Sequence, residues 1–429
     1  MNKPELLAPA GTFEKAKIAF MYGADAVYCG TSKHSLRTRT AMDFEDLKKT
    51  VHLAHSLNKR VHVAMNVYAR DDEYDGVIEE VKELSQIGID GFIVADPGVV
   101  DIIKEYAPNI DIHISTQANT VSAHTCKFWA NQGAKRVILA RELSKDEIKY
   151  IVDNKPEGLE IEMFAHGAIC YSYSGRCYMS DYMAGRSANH GDCAQPCRWS
   201  YNLYAEEKNK PGEYMPVDFD EKGIYIFSSK DMCLMPEIPT IFDLGVDSLK
   251  IEGRLKTEYY VATIVNAYRH AIDEYANAPE GWNYEKYMVE IEKAKTRALT
   301  EFYFKEKYNP DTQDLEGKQI NPNYEFGGIV ITGNSNIPND YKMHESGYTP
   351  DFDENKLVTV EIRNKLSVGD KLEVMIPGIL EPQGFIIDRL YDYETESNIN
   401  EVNPGVKEQK VKLKFPFEVK EDYIIRRIK

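Results

Sequence analysis

Four cysteines, Cys170, Cys177, Cys193 and Cys197, are separated by six, fifteen and three residues, and Cys233 follows a further 35 residues on. Four thiolates on one loop-rich stretch suit Zn²⁺ or an iron–sulfur cluster, since both take tetrahedral sets of sulfur. The C-x2-C knuckles of structural zinc are absent and clusters tolerate irregular spacing, so the cluster is preferred and zinc is the runner-up. The plain alternative is a set of packed free thiols, which five cysteines in 64 residues make hard to sustain. Cys29 and Cys126 sit in apolar or helical patterns and read as buried small hydrophobes. His166 and Cys170 lie at one strand end, so a nucleophilic pair is conceivable. A catalytic thiolate would not normally stand among four metal-competing cysteines, however, and neither H-E-x-x-H nor G-x-S-x-G occurs.

These residues have to be positioned by a fold. Up to about residue 275, short apolar runs bounded by Gly, Pro or Asn alternate with segments whose apolar residues recur every three or four positions. ELLAPAG, DAVYCG, RVHVAMN, GFIVADPG, DIHISTQAN, RVILARE, EIEMFAHG and DSLKIEGR are the strand candidates. Eight strands alternating with helices predict an α/β fold of the TIM-like (β/α)8 type. No G-x-G-x-x-G follows the first strand, which disfavours a doubly wound sheet. About eighty residues separate the seventh and eighth strands, so a long Cys-rich insertion, 167–246, interrupts a barrel of residues 1–305. From 320 to 429, EFGGIVITG, KLVTVEIRN, GDKLEVMIPG, GFIIDRLYD and KVKLKFPF predict a small C-terminal β-barrel domain.

Barrel active sites form at the C-terminal ends of the strands. Asn66, Asp96, Gln117, Asn119, Arg141, Glu142, His166, Lys250, Glu252 and Arg254 all fall there. Asp96 precedes Pro97 and reads as a helix cap. Glu252 and Arg254 should project together, either as a salt-bridged floor or toward a substrate. His166, Glu252 and Asn66 are the candidate catalytic groups, with His166 able to move protons near neutral pH.

A formal charge of −17 argues against a generic polyanion binder. Two basic runs remain, Lys33 to Arg39 and Lys407 to Lys429, the latter with eight basic against four acidic residues. No run of about 18 uncharged apolar residues is present, and the start lacks a basic region followed by an apolar one, so a cytoplasmic protein that meets no membrane is expected.

The stretch EMFAHGAICYSYSGRCYMSDYMAGRSANHGDCAQPCRW resembles the signature of the peptidase U32 family, and YGADAVYCG, SLRTR, AMNVYARD, STQANTVS, ILARELS, SSKD and LKIEGR match it in order. Within the family the chain is most similar to prephenate-dependent tRNA uridine hydroxylases, which make 5-hydroxyuridine at the wobble position of the anticodon loop. The resemblance implies a [4Fe–4S] cluster on Cys170, Cys177, Cys193 and Cys197, with Cys233 either a spare or a substitute for Cys197. It also implies prephenate as hydroxyl donor, whose two carboxylates would call on arginine; Arg37, Arg39, Arg176 and Arg254 are the candidates, with Gln117 and Arg141 beside them. Tyr171, Tyr173, Tyr178 and Tyr182 could stack an extruded base, and the basic tail could make a second RNA contact. The family leaves three alternatives: a collagenase-like peptidase, an rRNA hydroxylase, or a quinone-pathway hydroxylation protein working as a pair with a related partner.

Overall fold

The computed structural model describes residues 3–35, 41–217, 228–305, 312, 321, 323–334, 353–405 and 409–429. Arg37 and Arg39 lie outside the described residues. Seven strands, β1 (Glu5–Pro9), β2 (Ala26–Gly30), β3 (Arg60–Met65), β4 (Gly91–Val94), β5 (Asp111–Ile114), β6 (Arg136–Ile138) and β7 (Glu160–Ala168), each pair in parallel with the next. The eighth barrel strand, Ser248–Ile251, pairs in parallel with both β7 and β1 and closes the ring. The TIM-like barrel expected from the alternating pattern is therefore formed.

Local chemistry sets the helices between the strands. Thr12 caps helix Phe13–Met21 by accepting the Lys15 N–H, and Asp43 caps Phe44–Ser56 in the same way. Asp96 accepts from the N–H groups of Gly98 and Val99 with Pro97 in the first turn, so this strand-end carboxylate is a cap.

Inward-facing side chains fill the barrel in layers. The lower layer is charged: Arg136, 1% exposed, contacts Glu5 at 2.6 Å, Glu160 at 2.7 Å and Glu162 at 3.0 Å, and Arg60 also pairs with Glu5. His62 and His113 stack beside it with ring centroids 4.5 Å apart. Burial holds both rings neutral, taking His62 down to about 3. Above this layer lie Tyr28, Ala64, Ile93, Ile138, Phe164 and Lys250, the floor of a chamber that opens at the C-terminal face.

After β7 the chain makes a short helix, Met179–Ala184, and a hairpin, Leu203–Glu206 with Tyr214–Val217. Among the described residues of 169–217 the buried apolar side chains are Ile169, Ala188 and Pro196, too few for an independent core. Residues 231–246, which the sequence assigned to the insertion, return to the barrel. Asp231–Cys233 pairs antiparallel with the end of β7, and Ile238–Leu244 is the seventh barrel helix.

Among the described residues the C-terminal region forms an antiparallel sheet of eight strands and a separate two-stranded one. No pairing joins its two edge strands, Gln383–Ile386 and Asn398–Ile399, among the described residues, so closure into a barrel is not seen there. Its centre holds Ile424–Ile428, paired on one side with Tyr324–Val330 and on the other with Lys371–Met375. The sequence read this segment only as part of a basic tail. In the fold Arg426 is fully buried against Glu290 and Glu373 and so is not offered to RNA, while Arg427 and Lys429 pair with Glu325. The sheet is packed on the barrel: Ile329, Met375 and Ile424 belong to the barrel's hydrophobic core, and Tyr22 Oη donates to the Met375 carbonyl at 2.7 Å.

Candidate active site

The chamber, with a volume of 470 Å³, is bounded below by the strands, around its rim by the loops that follow them, and above by the insertion. Cys170, Cys177, Cys193 and Cys197 all line it. Burial pushes the Cys197 thiol up to about 11; Arg198 opposes this, and Cys170, Cys193 and Cys177 add to it. Two receive backbone donors: Met179 N–H to Cys177 Sγ at 3.3 Å and Gln195 N–H to Cys193 Sγ at 3.4 Å. Among the described residues no three Cys, His, Asp or Glu side chains close on one point as ligands of a single ion would. Four thiols lining one chamber are the donor type that zinc or an iron–sulfur cluster takes. Cys233 stands apart, buried with its Sγ 3.9 Å from Tyr268 Oη and 3.8 Å from Met288 Sδ.

His166 does not reach the chamber. Phe164 of β7 pairs with Lys250, but the next pair is His166 with Ile251, a register shift that skips Ala165 and turns His166 to the outer face. There the ring packs on Tyr260 and Tyr268, with centroids 6.0 and 5.6 Å away. Burial and nearby Lys256 hold it neutral, down to about 3. The acid-base role expected for His166 is corrected accordingly, and no Cys170–His166 nucleophile pair is assembled.

Glu252, Asn66, Gln117, Arg141 and Arg254 do line the chamber. Glu252 follows the eighth strand, its N–H donating to the His166 carbonyl at 2.8 Å. Gly167, at φ +109°, makes this approach possible, because a Cβ there would lie 2.3 Å from the Glu252 carbonyl oxygen. The Glu252 carboxylate meets Tyr28 Oη at 3.2 Å and Arg141 at 4.0 Å. Arg141 also lies 3.9 Å over the Phe164 ring and donates to the Ala168 carbonyl. Arg254, 4% exposed, donates to Ser35 Oγ at 3.0 Å across Gly30, where any Cβ would collide with the guanidinium. Glu252 and Arg254 therefore make no pair with each other among the contacts described; each faces its own neighbours. Arg176 sits outside the chamber, exposed, donating to the Gln117 carbonyl and Tyr68 Oη.

The sequence pointed to the mouth and missed much of the wall. Arg198, Lys256 and Arg297 line the chamber, as do Tyr28 and Phe164. Lys256 and Arg297 both lie 3.6 Å from Asp231. Strict alternation along DSLKIEGR puts Lys250 on the same face as Ser248, a signal that could have sent Lys250 to the floor. Among the described residues six cations and one carboxylate, Glu252, line the cavity of a chain whose formal charge is −17. Tyr171 lines the chamber, and Tyr171, Tyr173, Tyr178 and Tyr182 of the insertion are 48%, 52%, 75% and 84% exposed.

Residues 11–314 match the family model described as peptidase family U32, and 346–426 match its C-terminal domain. The chain belongs to peptidase family U32. Curated members similar to it include tRNA hydroxylation protein P of Escherichia coli (strain K12), 36% identical with 88% of this chain and 87% of that protein covered. tRNA hydroxylation protein P1 of Bacillus subtilis (strain 168) is likewise 36% identical, covering 88% and 85%. The E. coli 23S rRNA 5-hydroxycytidine C2501 synthase is 34% identical over 70% of this chain and 45% of its own length. The family name refers to proteolysis, yet these three members are named for hydroxylating RNA. Among the described residues no helix is long and apolar enough to cross a membrane.

Proposed function

We propose that this protein is a cytoplasmic tRNA-modifying enzyme that hydroxylates the wobble uridine to 5-hydroxyuridine, with prephenate as donor and a [4Fe–4S] cluster held by Cys170, Cys177, Cys193 and Cys197. The observation that carries the reading is the chamber itself: four thiols on its roof and a cationic wall inside an acidic protein. A cluster there would supply one-electron chemistry and would staple an insertion that lacks a core.

The chain's own residues account for the remaining parts. Arg141 and Arg254 present guanidinium groups toward a carboxylate, the geometry such groups bind best. Glu252, hydrogen-bonded to Tyr28, is the acid-base candidate at the reacting end, and Asn66 offers an amide on the same wall. A volume of 470 Å³ accommodates a ring-sized acid together with one extruded base. The exposed tyrosines of the insertion supply flat faces for unpaired nucleotides. The interior cations explain how a polyanion can be served by an acidic chain: the attraction is concentrated where the base must enter.

The direct test is nucleoside mass spectrometry of tRNA from cells with and without the gene, together with purified protein, tRNA and prephenate. 5-Hydroxyuridine that disappears with the gene and forms in vitro only with prephenate supports the reading; unchanged wobble uridine in the deletion strain refutes it. Replacing Arg254 with Gln should raise the KM for prephenate roughly 10- to 100-fold, the worth of one charge-assisted pair, with the tRNA KM little changed.

A further inference from the structure

The chamber floor carries one charge. Its strand-borne residues Tyr28, Ala64, Ile93, Ile138 and Phe164 are uncharged, and Lys250 stands among them, 4% exposed. The Lys250 Nζ lies 3.0 Å from Glu162 Oε1 and 4.2 Å over the Tyr28 ring. An ammonium has three N–H donors. Glu162 is the acceptor the structure gives to one of them, and that carboxylate is already shared with Arg136 and Ser248. A cation with spare donors at the bottom of an apolar cup fits a ligand whose leading end is anionic and whose body is an apolar ring.

We propose that Lys250 is the deep anchor of the small co-substrate: it takes one carboxylate of a ring-bearing dianion, while the other carboxylate meets Arg141 and Arg254 at the rim. This rests on the reading above that prephenate occupies the chamber, and it fixes the direction in which the molecule sits. Lys250 is buried below the rim, on the barrel strand itself, where an RNA phosphate would have to displace the base from the pocket to reach it. The residue therefore governs donor selectivity and leaves tRNA affinity alone.

The test uses the full-length, cluster-loaded protein and labelled prephenate in equilibrium dialysis, with filter binding of tRNA alongside. K250M should bind prephenate at least tenfold more weakly than wild type, K250R within about threefold of it, and both should hold tRNA within twofold. In wild type, prephenate should protect Lys250 from reductive methylation, read by peptide mass spectrometry, which decides the matter even where K250M fails to fold. Equal prephenate affinity in K250M, a loss of tRNA binding in its place, or methylation of Lys250 unaffected by prephenate overturns the anchor while wild-type turnover leaves the broader reading standing. Absence of prephenate binding by wild-type protein overturns both.

Discussion

Arg136→Met removes the buried guanidinium that joins Glu5, Glu160 and Glu162 in the barrel's lower layer. Burial by itself would push the Glu5 carboxyl up, but Arg136, aided by His62 and Arg60, brings it down from 4.5 to about 2. That displacement corresponds to about 3 kcal/mol of folding free energy at neutral pH. Because the folded value is the lower one, the contribution is present above pH 4.5 and fades as pH falls toward 2. Glu162, fully buried, would lose the same partner and keep only Lys250 and Ser248. Stripping a buried ion group of one member costs about 3–5 kcal/mol, so in a chain of 429 residues R136M should melt roughly 3–6 °C below wild type at pH 7.5 by circular dichroism. At pH 5 the gap should narrow, because the abandoned carboxyls can then be neutralised by protonation. A melting point within 2 °C of wild type at pH 7.5, or a gap that widens on acidification, would refute the claim that these carboxylates depend on Arg136.

Three other outcomes are expected. Cys197→Ser should abolish the brown absorption of anaerobically purified protein while Cys233→Ser keeps it, since Cys233 packs on Tyr268 and Met288 outside the chamber; equal loss in both would reverse the assignment. His166→Gln should leave the pH profile of turnover between 6 and 9 unchanged, because a ring held neutral down to about 3 has no proton to exchange in that range; a displaced limb would restore His166 to the chemistry. Removing 321–429 should yield insoluble protein, since it uncovers the barrel face under Met375 and Ile424 and leaves Glu290 buried without Arg426. A soluble truncation with a native melt would show the two parts to be independent.

The barrel was legible because β/α rhythm is a local property, repeated eight times, and each strand was bounded by its own turn residues. The four cysteines were legible because their types leave few alternatives in so coreless a segment. His166 was misplaced because alternation predicts an inward residue only while pairing stays in register, and the shift at Ala165 depends on the partner strand. The strand at Ile424–Ile428 was hidden by its arginines, which look solvated until Glu290 and Glu373 arrive from distant parts of the chain. Lys250 was noticed as a strand-end residue, yet its depth follows from the closed ring and not from its place in the sequence.

The skipped Ala165 also fastens the outer shell of the molecule. Its carbonyl accepts from Tyr268 Oη and from the Leu234 N–H, both at 2.9 Å, so a helix and the returning strand are tied to β7 at the same point. Excising that single alanine would cut both ties and swing the imidazole inward. An insertion one residue long thus decides whether this rim carries a titrating ring or a mooring for its neighbours.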